Sequence, residues 1–360
     1  MKRLTCSVAP VLLLWTALAQ PVEPAVRIAT FDVDATPPLG SAMAYDPVKR
    51  LDDLTLRCRG IVLTGAGQPI VVVALDWCQC NNDSYDRWRD VLAEAAGTTR
   101  ARVMLATVHQ HDAPICDLAA QQLLDRYGLV GYNCDPAFHE QAVQRTAAAL
   151  RKGLGSARRV THFGLGQAKV ERVASNRRVP IGEGKVGFRA SSCRDPKFIA
   201  LPEGEIDPFV QTITFFSGEK PLLRMHYYAT HPQSFYGDTR ASYDFVGMAR
   251  EALQEQEGIF QIYFTGCAGD IAAGKYNDAS PEAREGLYER MLAGMAASTA
   301  ATQRIPLEAI HWRTESLLLT PRDDAGYGEA EMRAQLGNPA ETPRKRYDAA
   351  YSIAFRERAH

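Results

Sequence analysis

The stretch Val103–Asp117, VMLATVHQHDAPICD, decides how the whole chain is read. Its apolar opening, Val103-Met104-Leu105-Ala106, predicts a buried strand. The chain then turns polar through Thr107-Val108-His109-Gln110-His111, and Asp112 and Pro114 stop the strand. If extended geometry continues through Gln110, His109 and His111 lie two apart and point to the same face. Two imidazoles on one face of a strand end suit a metal ion or an oxyanion. The carboxyl end of a strand in an α/β pattern is also where ligands usually bind. The competing reading is a surface loop that happens to contain histidines, but the chain has only eight His and two of them sit here.

Working outward, Pro69 to Leu75 (PIVVVAL) is a second buried run ending in Asp76, and Tyr85 to Ala96 has helical spacing. Together with Val103–Val108 they predict a βαβ unit. Arg27 to Asp34 alternates as a strand, and Leu54 to Thr64 forms a hairpin with Pro69–Leu75 across Gly65-Ala66-Gly67. Pro136 to Leu154 is a helix, with Pro in its first turn and Gly153 and Gly155 at its end. Val160–Val173 alternates, and residues 181–208 read as a long loop. Phe209–Phe216 and Pro221–Thr230 form a second hairpin. Val246–Gln256 is helical, Ile259–Thr265 is a buried strand, and Pro281–Thr302 is a long helix. Ala309–Leu319 is a further strand, and the polar stretch from Thr320 is helical. The fold class is therefore α/β: a mixed sheet with flanking helices. No internal repeat is visible. The expected organisation is a leader over 1–19, one main domain over 20–319 and a polar helical segment over 320–360.

Lys plus Arg total 41 against 42 Asp plus Glu. With no long basic tract, nucleic acid is not an expected partner. Lys2 and Arg3, the apolar Val8–Leu18 and the small-x-small Ala17-Leu18-Ala19 make a secretory signal peptide, too short to span a membrane. No later segment is apolar for long enough to cross one, so the mature protein is expected to be secreted or periplasmic. Of eight Cys, seven remain after cleavage; in an oxidising compartment some are expected to pair, with one left over. Cys116 and Cys134, flanking a helical stretch, can close a loop near the histidines. Cys78-Gln79-Cys80 is CxC, not a CxxC redox motif.

Other polar strand ends can meet the first. Tyr227-Tyr228-Ala229-Thr230-His231 ends in a histidine before Pro232, and Gly266-Cys267-Ala268-Gly269-Asp270 is a glycine-flanked turn. Asp76 is a fourth such position. Imidazoles combined with carboxylate suit Zn²⁺, which activates water and polarises carbonyls. Asn176-Arg177-Arg178 can hold a carboxylate or phosphate. His139, His162, His226 and His311 lie inside periodic segments and read as structural, with His226 on the opposite strand face from His231.

These residues, in this order, resemble the amino-terminal catalytic domain of the neutral ceramidases. The resemblance rests on His109-Gln110-His111-Asp112-Ala113-Pro114 after a strand, on Asn176-Arg177 and on Ala229-Thr230-His231. It continues through Asp244-Phe245-Val246-Gly247 at a helix start and Ala268-Gly269-Asp270-Ile271, covering about residues 27–277. It implies a zinc amidase that hydrolyses the N-acyl bond of a lipid-like, ceramide-like substrate. His109 and His231 would be zinc ligands. His111 and Arg177 would be catalytic, contacting substrate or transition state. Among the other matched residues, Asp270 is expected to accept or relay a proton, and Asn176 and Asp244 to bind substrate.

Three departures stand out. The family's Ser after Gly-Asp-Ile is Ala272, its Ser-Gly after His-x-His is Asp112-Ala113, and its remaining Glu and Tyr ligands have no match before His360. An inactive secreted binding protein of the same fold, or another metallohydrolase of phosphoesterase type, are the rival readings. A metallo-β-lactamase-like His-x-His-x-Asp does not fit, because Asp112 follows His111 directly. Amino-terminal sequencing of the exported protein is expected to begin at Gln20; a mature chain that keeps Lys2 and Arg3 would remove the leader assignment.

Overall fold

A computed structural model describes residues 25–51 and 55–359. The proposed leader and its cleavage site lie outside the described residues. Two five-stranded sheets organise the chain. In the first the strand order is Val103–Thr107, Ile70–Leu75, Arg57–Thr64, Arg27–Asp34, Arg158–Arg159. In the second it is Phe260–Thr265, Lys220–Tyr228, Phe209–Ser217, His162–Lys169, Gln303–Pro306. Each sheet is antiparallel except for one parallel pair, Ile70–Leu75 with Val103–Thr107 and Lys220–Tyr228 with Phe260–Thr265. The expected mixed α/β architecture is therefore present.

The two sheets share one wiring. In each, three antiparallel strands are followed by a helix (Asn82–Ala96; Asp244–Glu257), a parallel strand, a long helix (Pro136–Leu154; Pro281–Ala300) and a short edge strand that returns beside the first. The sequence shows no repeat, and the duplication is one of topology. It is carried by topology and the alternation of apolar residues, not by residue identity, so it leaves no periodic signal in the sequence.

Alternation decides the layers. In Ile70–Leu75, Ile70, Val72 and Ala74 face a core shared with the second sheet and the helices Asp244–Glu257 and Pro281–Ala300. Val71, Val73 and Leu75 face the helices Asn82–Ala96 and Pro136–Leu154. A strand buried on both faces has no polar positions, which is why this run reads as continuously apolar.

The predicted helix Pro136–Leu154 has the predicted bounds, with Asp135 capping the amides of Ala137 and Phe138. The predicted strand Ala309–Leu319 does not form. That stretch is irregular, and Leu317, Leu318 and Leu319 are exposed, because the edge of the second sheet is already taken by Gln303–Pro306. The segment after Thr320 is helical as expected, over Glu329–Gly337 and Pro343–Ala359, and packs Met332, Leu336, Tyr347 and Ile353 on Leu123 and Leu124. Among the described residues no cysteine is paired, although the Cys116 thiol lies against Cys134; the expected disulfides are absent. No described helix is long and apolar enough to cross a membrane.

Asp76 is not part of a binding site. It is buried in a two-bond pair with Arg250, at 2.9 and 2.8 Å, and also accepts from the Arg57 amide (2.9 Å) and Gln110 Nε2 (3.1 Å). His226 is structural as read, buried and bonded to Thr212 (2.8 Å) and Gln261 (2.7 Å). We expect Arg250→Met to cost about 3–5 kcal/mol in denaturant unfolding, because it strands a buried carboxylate. Asp76→Leu combined with Arg250→Met should recover part of that loss. A single-variant cost below about 1 kcal/mol would show that the pair is not the tie described.

Candidate metal and hydrolytic site

The strand that should carry both histidines stops at Thr107. His109 turns into the left-handed region at φ 74°, a costly conformation for a residue with a Cβ. Its amide donates to Trp77 O (3.0 Å), while the Gln110 side chain is drawn into the core by Asp76. His109 and His111 meet on one side because of this kink, not because of strand alternation. His231 arrives from the second sheet, where its amide donates to Ile271 O at 2.9 Å.

The three rings form a triangle. Centroids are 4.8 Å apart for His109–His111 and His109–His231, and 5.5 Å for His111–His231. Nδ1 of His109 faces Cys78 O at 2.7 Å, and Nδ1 of His231 faces Ile271 O at 3.0 Å. A backbone carbonyl holding Nδ1–H leaves the Nε2 lone pair free, the arrangement that orients metal-binding histidines. Burial and cationic neighbours keep the imidazoles neutral. His109 is pushed down by burial and by Arg177; His111 falls to about 2 through burial, His109, His231 and Arg177; His231 falls to about 4 through burial, Arg177 and His109. Neutral imidazole is the ligating form, and Nε2 of His111 is buried with no partner among the described residues. The neutral nitrogen donors, with the Cys78 thiol beside His109 and His111, therefore suit a soft divalent metal ion such as zinc.

Cys78 was passed over in the sequence. Its thiol is buried, and it and ring nitrogens of His109 and His111 lie within 4.8 Å of one another. The sulfur is 3.7 Å from His109 Nδ1, on the side already occupied by the Cys78 carbonyl. It therefore backs that imidazole on the side away from Nε2.

Arg177 lies near enough to the triangle for its positive charge to push all three imidazole pKa values down. Its amide donates to Asp270 O (2.7 Å) and its guanidinium to Gly269 O. The 175–177 segment is held by Ser175–Asn176 pairing with Ile271–Ala272 and by Arg189. That guanidinium is fully buried and donates to the carbonyls of Asn176, Phe198, Leu201, Pro202 and Glu203. A lone buried Arg in a Gly-rich loop gave no sequence signal, since its partners are all backbone.

The acidic residues are placed differently from the histidines. Asp270 accepts from Asn176 Nδ2 (2.9 Å) and from Arg178 Nε (2.8 Å). Burial raises its pKa, but the bonds from Arg178 and Asn176 outweigh this and hold it below the usual range. Asn176 and Asp270 thus brace each other at the rim. Asp244, at φ 57°, is buried at the start of its helix and accepts from Ser234 N (2.8 Å), Ser234 Oγ (2.6 Å) and Phe245 N (2.6 Å). It shapes the loop that follows His231. Gly247, one turn on, is required there because a Cβ would come within 1.7 Å of the Tyr243 ring. Ala272 is fully buried beside the residue that bonds His231.

No family profile matches the sequence, and no curated protein matches it. Among solved structures, a ceramidase complexed with C2 superposes with a TM-score of 0.58 at 14% identity, over 77% of this chain and 44% of that one. The neutral ceramidase from Pseudomonas aeruginosa gives 0.58 at 15%, over 78% and 45%. The chain has a neutral-ceramidase fold. It spans less than half the length of either neighbour, and at this identity the likeness establishes the fold alone.

Asp112, next to His111, is buried and its Oδ2 has no partner among the described residues. Burial, with Asp244 and Asp238 nearby, lifts its pKa from 3.8 to about 8. The unfolded chain is ionised there while the folded protein stays protonated, so stability is withdrawn as pH rises from about 4 to about 8. Asp112→Asn is expected to stabilise the protein at pH 7 by roughly 2–4 kcal/mol and to match it near pH 4. Equal unfolding free energies at both pH values would contradict a protonated Asp112.

Proposed function

We propose that the protein is an exported, zinc-dependent hydrolase of N-acyl amide bonds in a lipid-like, ceramide-like substrate, with residues 20–319 as its catalytic unit. The observation that supports this best is the pair His109 and His231. Two imidazoles from different sheets, His231 buried and His109 half-buried, each have Nδ1 fixed by a backbone carbonyl and Nε2 left open beside Arg177. The neutral-ceramidase fold supports the reaction class.

Zinc at such a site supplies Lewis acidity, polarising a carbonyl and acidifying water. The chain's own groups do the rest. His109 and His231 hold the metal, and the Arg177 guanidinium offsets negative charge developing on the carbonyl oxygen. His111 hydrogen-bonds in the same space. Asp270, through Asn176 and Arg178, keeps the Arg177 loop at the rim. Ala272 has no hydroxyl with which to attack or donate. That methyl group is also the observation that favours the second reading, a binding protein that keeps the fold without turnover.

Metal analysis of the purified full-length chain should find one zinc. His109→Ala and His231→Ala should lose most of it, by more than the roughly 10–100-fold that disruption of supporting partners costs. His162→Ala should keep it. Full occupancy in both site variants would refute the ligand assignment. N-acyl amides should then be cleaved in a chelator-sensitive way, and faster by Ala272→Ser. Chelator-resistant hydrolysis would overturn the metal reading, and zinc without hydrolysis in either form would favour the binding protein.

A further inference from the structure

The three imidazoles differ in what touches Nδ1. For His109 and His231 it is a carbonyl, which only accepts, so both carry their proton on Nδ1. For His111 it is the Tyr45 hydroxyl, at 3.1 Å. That oxygen already receives the amide N–H of Gln233 at 3.2 Å. The phenol has one proton of its own, and the ring nitrogen it contacts is His111 Nδ1. A chain Gln233 Nε2–H to Tyr45 Oη–H to His111 Nδ1 puts the His111 proton on Nε2. That nitrogen is buried and unpartnered.

We propose that Tyr45 is a positioning residue that fixes His111 as its Nε2–H tautomer. His111 then serves as a hydrogen-bond donor to the substrate oxygen, while His109 and His231 present bare Nε2 atoms to the metal. The proposal rests on the hydrolytic reading above and assigns what that reading leaves open: why three clustered histidines do not act as three ligands. An N–H cannot ligate. Aimed into the site beside Arg177, it supplies a second donor where charge develops on a carbonyl oxygen.

Tyr45 is built for this task. Its ring stacks on His111, with centroids 5.6 Å apart and planes 29° apart, and packs against Tyr236 at 5.5 Å. Its loop is stitched to the histidine loop by the Ala44 amide donating to Ala113 O at 3.0 Å, and it is closed by Gly40 N to Val48 O at 2.7 Å. Nothing in the local sequence Ala44-Tyr45-Asp46-Pro47 announces this, because the partner lies 66 residues away.

The tautomer can be read directly. In the full-length chain labelled with ¹⁵N-histidine, with His111 assigned through His111→Gln, the expected pattern is a pyrrole-type Nε2 and a pyridine-type Nδ1. His109 and His231 should show the reverse. Tyr45→Phe keeps the ring and removes the hydroxyl; His111 should then become a mixture of tautomers. Gln233→Leu, which frees Tyr45 Oη to accept, should shift it the same way. Zinc content should be unchanged in both variants, and kcat on an N-acyl amide should fall by roughly 10–100-fold with KM little altered.

A proton found on Nδ1 of His111 in the natural protein, or a ligation shift of its Nε2 on zinc loading, would overturn the proposal. An unchanged tautomer in Tyr45→Phe would remove Tyr45 from the role. These resonances are observable in metal-free protein. Absence of zinc binding and hydrolysis therefore defeats the functional reading, and a wrong tautomer defeats this one.

Discussion

The buried pair of Asp76 and Arg250 is the constraint on which the site depends. Asp76 ends a strand of the first sheet, and Arg250 lies on the helix that crosses between strands of the second. Their two bonds join the halves of the molecule at a point with no exposure to water. Such a pair gives back in Coulomb energy little more than its desolvation costs, and two apolar side chains would pack as well. What they would not do is bind Gln110. Because Asp76 also accepts from Gln110, the residue between the two histidines is held inward and both imidazoles are forced out to the same side. Arg59 repeats the tie nearby, bonding Glu251 at 2.9 Å and Gln261 O at 3.0 Å.

The duplicated wiring explains where the site lies. Each sheet has one parallel pair, and ligands collect beyond the carboxyl ends of parallel strands. The two pairs approach each other, with Thr265 Oγ1 donating to Val108 O at 2.6 Å. Two sets of strand ends therefore open into one space. The first sheet contributes His109 and His111, after its second parallel strand; the second contributes His231, after its first. The corresponding end in the first sheet is Asp76, which supports the structure. One topological position thus holds a structural tie in one half and a candidate ligand in the other.

Much of this was legible in the sequence. The apolar runs at 70–75, 103–107 and 260–265 and the capped helix at 136–154 follow from burial on both faces and from local capping chemistry. The convergence of His109, His111 and His231 followed from polar residues ending buried strands, a signal that survives even though His109 leaves strand geometry. What was hidden depends on distant partners. Tyr45 and Cys78 touch the histidines through contacts 66 and 31 residues apart in sequence. Arg189 works entirely through carbonyls, which every residue possesses. The segment 309–319 was misread because alternation shows that a strand can form, not that a sheet edge is free to receive it.

Charge bears on which hydrolytic reading we propose. Among the described residues, four acidic groups around the triangle of imidazoles are engaged or neutral. Asp270 is held by Arg178 and Asn176, Asp244 by Ser234, Asp76 by Arg250, and Asp112 is protonated at neutral pH. His109 and His231, both neutral, bring no negative charge of their own to a bound cation, and Arg177 brings a positive one. A phosphoesterase-type site that clamps a phosphoryl group between two metals needs carboxylates to hold the second ion, and the described site offers none free. An amide carbonyl is a weaker ligand and a poor electrophile, so it gains most from an uncompensated cation and from N–H donors placed where its oxygen becomes negative.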